Sequence, residues 1–222
     1  MLLLFDLDDT LIDTSGTVIR PKLGDAVDAM VKHGLRVDSV ENAKELMLAL
    51  DTGSPTGKET ITRFLKKVHA PLALLEVGFM EYQKGRKEMT VAPLPGAIEA
   101  LQELRKEGHD LVLISTGEKE TQQRKMIIAG INMSWFRKII IVKDYDKKDK
   151  YKEVCTEWGC MPEQVMVIGD KFKTDLLPAR ELGMKTVYVR HGRGLADPPK
   201  IGEVDYMIKD LGELPSIVED VA

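Results

Sequence analysis

The chain has 222 residues, of which 43% are hydrophobic and 31% charged, and it carries a formal net charge of -4. That balance belongs to a globular protein long enough to bury a sizeable core, rather than to a disordered or membrane one. The acidic excess argues against general nucleic-acid binding, which calls for a basic surface, but leaves room for a phosphate held by local lysines.

The first element is the apolar run of "MLLLFDLDDTLIDT", which meets Asp6, Asp8 and Asp9, with Asp13 close behind. A strand rises about 3.3 Å per residue with side chains alternating, so Asp6 and Asp8 share a face about 6.6 Å apart and Asp9 points away. Two charges at that separation repel by about 2.5 kcal/mol at an effective dielectric of about 20. A rigid strand end that holds both therefore implies a cation or a chemical task, whereas a polar turn after a strand is the plainer alternative. Met1 to Phe5 is too short for a signal peptide, and no later stretch approaches the roughly 18 apolar residues of a membrane span. The expectation is a cytoplasmic protein with no membrane partner.

Residues 15 to about 90 break into amphipathic segments, "KLGDAVDAMVKHG", "VENAKELMLAL", "KETITRFLKKVHA" and "LALLEVGFMEYQKG", without a convincing strand. A loop that long needs its own core, so the segment reads as an all-helical domain over 15–87, inserted into a core domain of 1–14 and 88–222. Beyond it, "DLVLIS", "KIIIV", "QVMVIG" and "KTVYVR" read as buried strands. They alternate with the helical patterns "PGAIEALQELRKEG", "EKETQQRKMIIAG", "KYKEVCTEWG" and "TDLLPARELG", the last expected to start at Thr174 as N-cap. Alternation of this kind implies an α/β fold, a Rossmann-like three-layer parallel sheet with helices on both faces.

In such a sheet the polar residues that follow each strand converge at the carboxyl edge. Here they are Asp6 and Asp8, then Ser115, Thr116 and Gly117, then Gly169 and Asp170 with Asp175 five positions on. The segment "KDYDKKDK" adds Lys143, Lys147, Lys148 and Lys150. Acids, a hydroxyl beside a Gly turn and a lysine suit a divalent cation and a phosphoryl group.

The ordered set "DLDDTL", "LVLISTG" and "VIGDKFKTD" resembles the motifs of the haloacid dehalogenase (HAD) superfamily over residues 1–14 and 90–210. The resemblance implies a HAD-like fold with a helical cap, and a Mg2+-dependent phosphatase acting on a small phosphorylated metabolite. It casts Asp6 as nucleophile, giving an aspartyl-phosphate, and Asp8 as general acid and base. It also implies a metal site of Asp6, the Asp8 carbonyl and Asp170, with Asp175 holding a ligand water or orienting the lysine. Ser115 and Thr116 would bind the phosphoryl oxygens together with a lysine. Lys148 is preferred for that role because Asp149 reads as a helix N-cap, and Lys147 comes next. Lys171 departs from the small polar residue common after the motif aspartate, and either the phosphate or solvent could be its neighbour.

Other patterns carry less. "GSPTGKET" at 53–60 lacks the spacing and preceding strand of a P-loop and reads as an interhelical turn. "HGRG" at 191–194 lacks a dinucleotide-binding spacing, and the four scattered histidines suggest neither a metal cluster nor a triad. Cys155 and Cys160 read as free thiols, and the sequon at Asn132 has no meaning without an export signal. Asp8 disfavours dehalogenation. A phosphomutase would share every motif, a phosphonatase would need a lysine such as Lys58, Lys66 or Lys67, and a receiver-like phospho-acceptor would need neither Asp170 nor an insert. The expected assembly is a monomer or homodimer.

Overall fold

A computed structural model describes residues 1–54, 56–84, 89–143 and 147–221. The chain divides into two compact units, Met1–Asp13 with Val91–Ala222, and Thr14–Thr90. The expected first boundary, 14/15, thus falls one residue earlier, and the expected second, 87/88, lies outside the described residues.

The first unit is built on a six-stranded, all-parallel sheet. Its strands are β1 (Leu2–Phe5), β2 (Asp110–Thr116), β3 (Lys138–Val142), β4 (Val165–Gly169), β5 (Lys185–Val189) and β6 (Tyr206–Ile208), in the order β3-β2-β1-β4-β5-β6. β1 has neighbours on both sides and is apolar along its whole length, because successive side chains enter different layers. Leu2 and Leu4 pack with Val112, Ile114, Val165 and Val167 against Tyr151, Val154 and Ala179, whereas Leu3, Phe5, Leu111, Leu113, Met166 and Ile168 are buried on the other face. β3 closes one edge, and its residues are only partly covered.

The helices of this unit are numbered after those of the insert: α5 (Ala97–Lys106), α6 (Lys119–Ile128), α7 (Lys148–Trp158), α8 (Leu177–Glu181) and α9 (Leu214–Glu219). α8 begins later than the expected Thr174, because residues Phe172–Leu176 form a π-helical turn in which Leu176 N–H reaches back to Lys171 O. Pro178 explains the shift: it has no N–H to donate to Thr174 O, so it is tolerated only in the first turn of a helix, here one that starts at Leu177.

The second unit holds α1 (Arg20–Lys32), α2 (Val40–Thr52), α3 (Gly57–Lys67) and α4 (Leu74–Gln83). Leu23, Ala26, Val27 and Met30 recur at helical spacing on α1 and meet Met47, Ile61, Phe64 and Leu65 in a core of the unit's own. Ser39 caps α2 by accepting from Asn42 N–H, and Thr56 caps α3 by accepting from Glu59 N–H. Lys58, Lys66 and Lys67 all lie on α3, and Lys58 stands over the Phe79 ring. Among the described residues no helix is long and apolar enough to cross a membrane.

Candidate active site

The strand order reverses direction at β1, whose neighbours are β2 and β4, and such a switch point opens a crevice beyond the carboxyl ends of the strands. Asp6 leaves β1 there, with its N–H donating to Ile168 O at 3.0 Å, which sets it beside the end of β4 and Asp170. β1 ends at Phe5, so Asp8 is carried by a tight loop rather than by the strand. Leu11 N–H and Ile12 N–H return to Leu7 O, and Asp9 N–H donates to Ile12 O. Asp9 turns this loop at a φ of 60° and is buried.

One oxygen each from Asp6, Asp170 and Asp175 lies within 4.8 Å of the others, and all three residues are buried. Lys147 Nζ bridges two of them, at 2.5 Å from Asp6 Oδ1 and 2.8 Å from Asp175 Oδ1. The other Asp175 oxygen accepts from Lys171 N–H, and Tyr151, one turn into α7, donates its hydroxyl to Asp175 O. Lys147 immediately precedes α7, so Asp149 sits inside the first turn and is not the N-cap. Lys148 therefore points elsewhere, pairing with Glu181 at 2.5 Å on the exposed side. That one-residue register brings Lys147, and not the preferred Lys148, to Asp6 and Asp175. Residues 144–146 of the same segment lie outside the described residues.

Burial dominates the electrostatics. It pushes the Asp6 carboxyl up to about 6, with Lys147 opposing the rise and Asp175 and Asp8 adding to it. Burial likewise raises Asp170 well above the usual carboxylate range, against the pull of Lys171. Lys147 is desolvated too, but Asp175 and Asp6 outweigh that cost and hold its ammonium well above the ordinary value. Burial opposes the charge of Lys171 as well, yet Asp170 and Asp6 outweigh it and hold its ammonium above the ordinary value.

Among the described residues, the buried side-chain polar atoms without a hydrogen-bond partner are Thr10 Oγ1, Thr116 Oγ1 and both carboxylate oxygens of Asp170. Asp170 is 0% exposed. An unpaired buried carboxylate costs several kcal/mol, so two orphaned oxygens beside two further acids are the donor set of a hard cation. The residues fit such an ion.

Ser115 and Thr116 end β2 across from Asp6. Ser115 accepts from Gln122 Nε2 at 2.8 Å, and the same nitrogen reaches Asp8 Oδ2 at 2.6 Å. The loop after β5 closes the other side. A Cβ on Gly194 would lie 2.0 Å from Asp170 O, and one on Gly192, at a φ of 54°, would lie 2.3 Å from Asp9 Cγ. "HGRG" is thus a close-approach loop, in which His191 Nε2 meets Asp13 Oδ1 at 2.8 Å. Asp9, Asp13 and His191 form a second group of convergent ligand atoms, although the scattered histidines suggested none.

The haloacid dehalogenase-like hydrolase family matches this chain over residues 3–189. The chain belongs to that family. The HAD-like chain is 30% identical to a glyceraldehyde 3-phosphate phosphatase of Methanocaldococcus jannaschii, over 99% of this chain and 97% of that one. It is 28% identical to the enzyme of that name from Pyrococcus furiosus, over 97% and 91%. The solved structure of a HAD phosphatase from Thermococcus onnurineus superposes with a TM-score of 0.61 at 24% identity, over 98% of this chain and 97% of that one.

Sequence reasoning about this HAD-like site missed Gln122, Lys125 and His191. Gln122 and Lys125 lie on a predominantly polar helix, and only their spacing of three marks a common face. His191 and Asp13 are 178 positions apart, and no local pattern joins them.

Proposed function

We propose that this chain is a Mg2+-dependent phosphatase that hydrolyses a small phosphomonoester through an aspartyl-phosphate on Asp6. The observation that carries this reading is the orphaned Asp170 carboxylate beside Asp6 and Asp175, a cation's donor set at the switch point of the sheet. Asp6, the Asp8 carbonyl and Asp170 would hold Mg2+, which would offset the negative charge gathered on the transferring phosphoryl group.

Asp6 attacks phosphorus and the ester P–O bond breaks, while the leaving oxygen takes a proton from Asp8. Asp8 then takes a proton from water, the water oxygen attacks phosphorus, and the P–O bond to Asp6 breaks to release inorganic phosphate. Lys147 holds Asp6 in place and balances its charge, and the hydroxyls of Ser115 and Thr116 donate to the phosphoryl oxygens. The orphaned Thr116 Oγ1 supports that last role.

The names of the relatives make glyceraldehyde 3-phosphate the first substrate to test. We assign the inserted helical unit the substrate-selecting role of a cap. Aspartyl chemistry on this fold also serves mutases, so the assay separates release of phosphate from its transfer. A panel of phosphomonoesters is incubated with and without Mg2+, alongside Asp6→Asn. Phosphate release that needs both Asp6 and the cation is expected. Turnover that survives EDTA, or that Asp6→Asn retains, would overturn the assignment.

A further inference from the structure

Two residues of α6 that hold none of these roles converge on Asp8. Gln122 Nε2 lies 2.6 Å from Asp8 Oδ2 and 2.8 Å from Ser115 Oγ, and Lys125 Nζ lies 2.7 Å from Asp8 Oδ1. Thr116 O is a third acceptor for Gln122, at 3.1 Å. Gln122 is 2% exposed and the Lys125 side chain 11%. Burying an amide and an ammonium is costly unless their hydrogens are satisfied, and here each residue supplies a donor to one carboxylate. Both oxygens of Asp8 are thereby engaged, which fixes the plane of the group as well as its position. An amide nitrogen only donates, so Ser115 accepts from it and keeps its own hydroxyl hydrogen for another acceptor.

A tie between α6 and the loop after β1 would serve stability alone. The convergence is narrower than that, because the contacts end on the one side chain that must hand over a proton and on the hydroxyl that must donate to the phosphoryl group. We propose that Gln122 and Lys125 are positioning residues, which set the direction of the Asp8 carboxyl toward the leaving oxygen and, through Gln122, that of the Ser115 hydroxyl. The inference rests on the phosphatase reading.

A misdirected acid hurts only the substrates whose leaving group needs a proton. An alkyl phosphate departs as an alkoxide unless it is protonated, whereas 4-nitrophenyl phosphate releases a stabilised phenolate. The quantity to compare is kcat/KM, which for both substrates ends at transfer to Asp6. Lys125→Met and Gln122→Leu are expected to lower kcat/KM for the alkyl ester about 100-fold, the scale of a displaced catalytic group, and that for 4-nitrophenyl phosphate by less than about 5-fold. Lys125→Arg, which keeps a donor and a charge, is expected to restore part of the loss.

Asp8→Asn, measured alongside, separates the two levels. If Asp8→Asn fails to discriminate between the esters, the acid role of Asp8 falls. If it discriminates while Lys125→Met and Gln122→Leu slow both esters equally, or neither, the positioning inference is overturned and the acid role stands. Should Gln122→Leu not fold, Lys125→Met and Lys125→Arg at the less enclosed position decide by the same ratio.

Discussion

Lys147 Nζ lies 2.5 Å from Asp6 Oδ1 and reaches Asp175 Oδ1 as well, a buried ammonium shared between two buried carboxylates. Removing one partner of such a group leaves the others charged and unpaired, at a cost of about 3–5 kcal/mol. Lys147→Met is therefore expected to lower the denaturant midpoint sharply and to reduce kcat about 100-fold or more, the scale of a misplaced catalytic group. Lys148→Ala removes only an exposed pair with Glu181, worth about 0–1 kcal/mol, and should leave both quantities nearly unchanged. Equal losses in the two variants would reverse the assignment of the lysine.

Asp170 makes the opposite prediction for the metal-free protein. Its carboxylate is buried with both oxygens orphaned, so its charge opposes folding until a cation arrives. Asp170→Asn should raise the melting temperature without metal and abolish hydrolysis. Mg2+ at 100 times its Kd stabilises the native protein by about 2.7 kcal/mol, a gain the variant should lack. Scanning calorimetry in EDTA and in Mg2+ reads both effects, and a variant that Mg2+ still stabilises would remove Asp170 from the ligand set.

The fold was legible because each strand of the core is a short apolar run that the layers on either side require, and because the motif acids follow β1 and β4 directly. The site was legible only in part. Choosing between Lys147 and Lys148 depended on the first residue of α7, and helix starts are the least determined feature of a sequence. β6 has three residues, too few for a pattern. Gln122 reaches Asp8 across 114 positions from a helix of which Gln122 and Met126 are the buried residues, so no apolar stripe announced its inward face. Asp9 faced away in the strand geometry, yet the chain turns at Asp9 itself and buries it against the loop after β5.

That loop sets the third prediction. Gly194 approaches Asp170 so closely that a methyl group would sit 2.0 Å from the Asp170 carbonyl oxygen, and backbone cannot swing aside as a flexible side chain can. Gly194→Ala should destabilise the protein by about 1–3 kcal/mol, the usual cost of overpacking, and should weaken Mg2+ binding by displacing Asp170. Gly24→Ala, in α1 with its nearest neighbour at 3.9 Å, is expected instead to stabilise by about 0.5–1 kcal/mol through helix propensity. Isothermal titration with Mg2+ and urea denaturation of both variants separate the two outcomes.

The pair between His191 and Asp13 gives the fold a pH dependence with a definite sign. The hydrogen bond to Asp13 raises the imidazole above its ordinary 6.5, burial opposes the rise, and Asp9 at 3.9 Å adds to it. The folded state then holds a proton that the unfolded chain releases, so the contribution is complete below pH 6.5 and fades as pH climbs through the raised value. Asp6, whose carboxyl burial pushes up to about 6, also favours the folded state in acid, so the measurement is made in saturating Mg2+ and read as a difference between proteins. His191→Gln keeps a hydrogen-bonding side chain without the titration. Its melting temperature should fall short of the native value at pH 6 and converge with it by pH 9. A gap that stays constant from pH 6 to 9 would show that the imidazole is not charged in this pair.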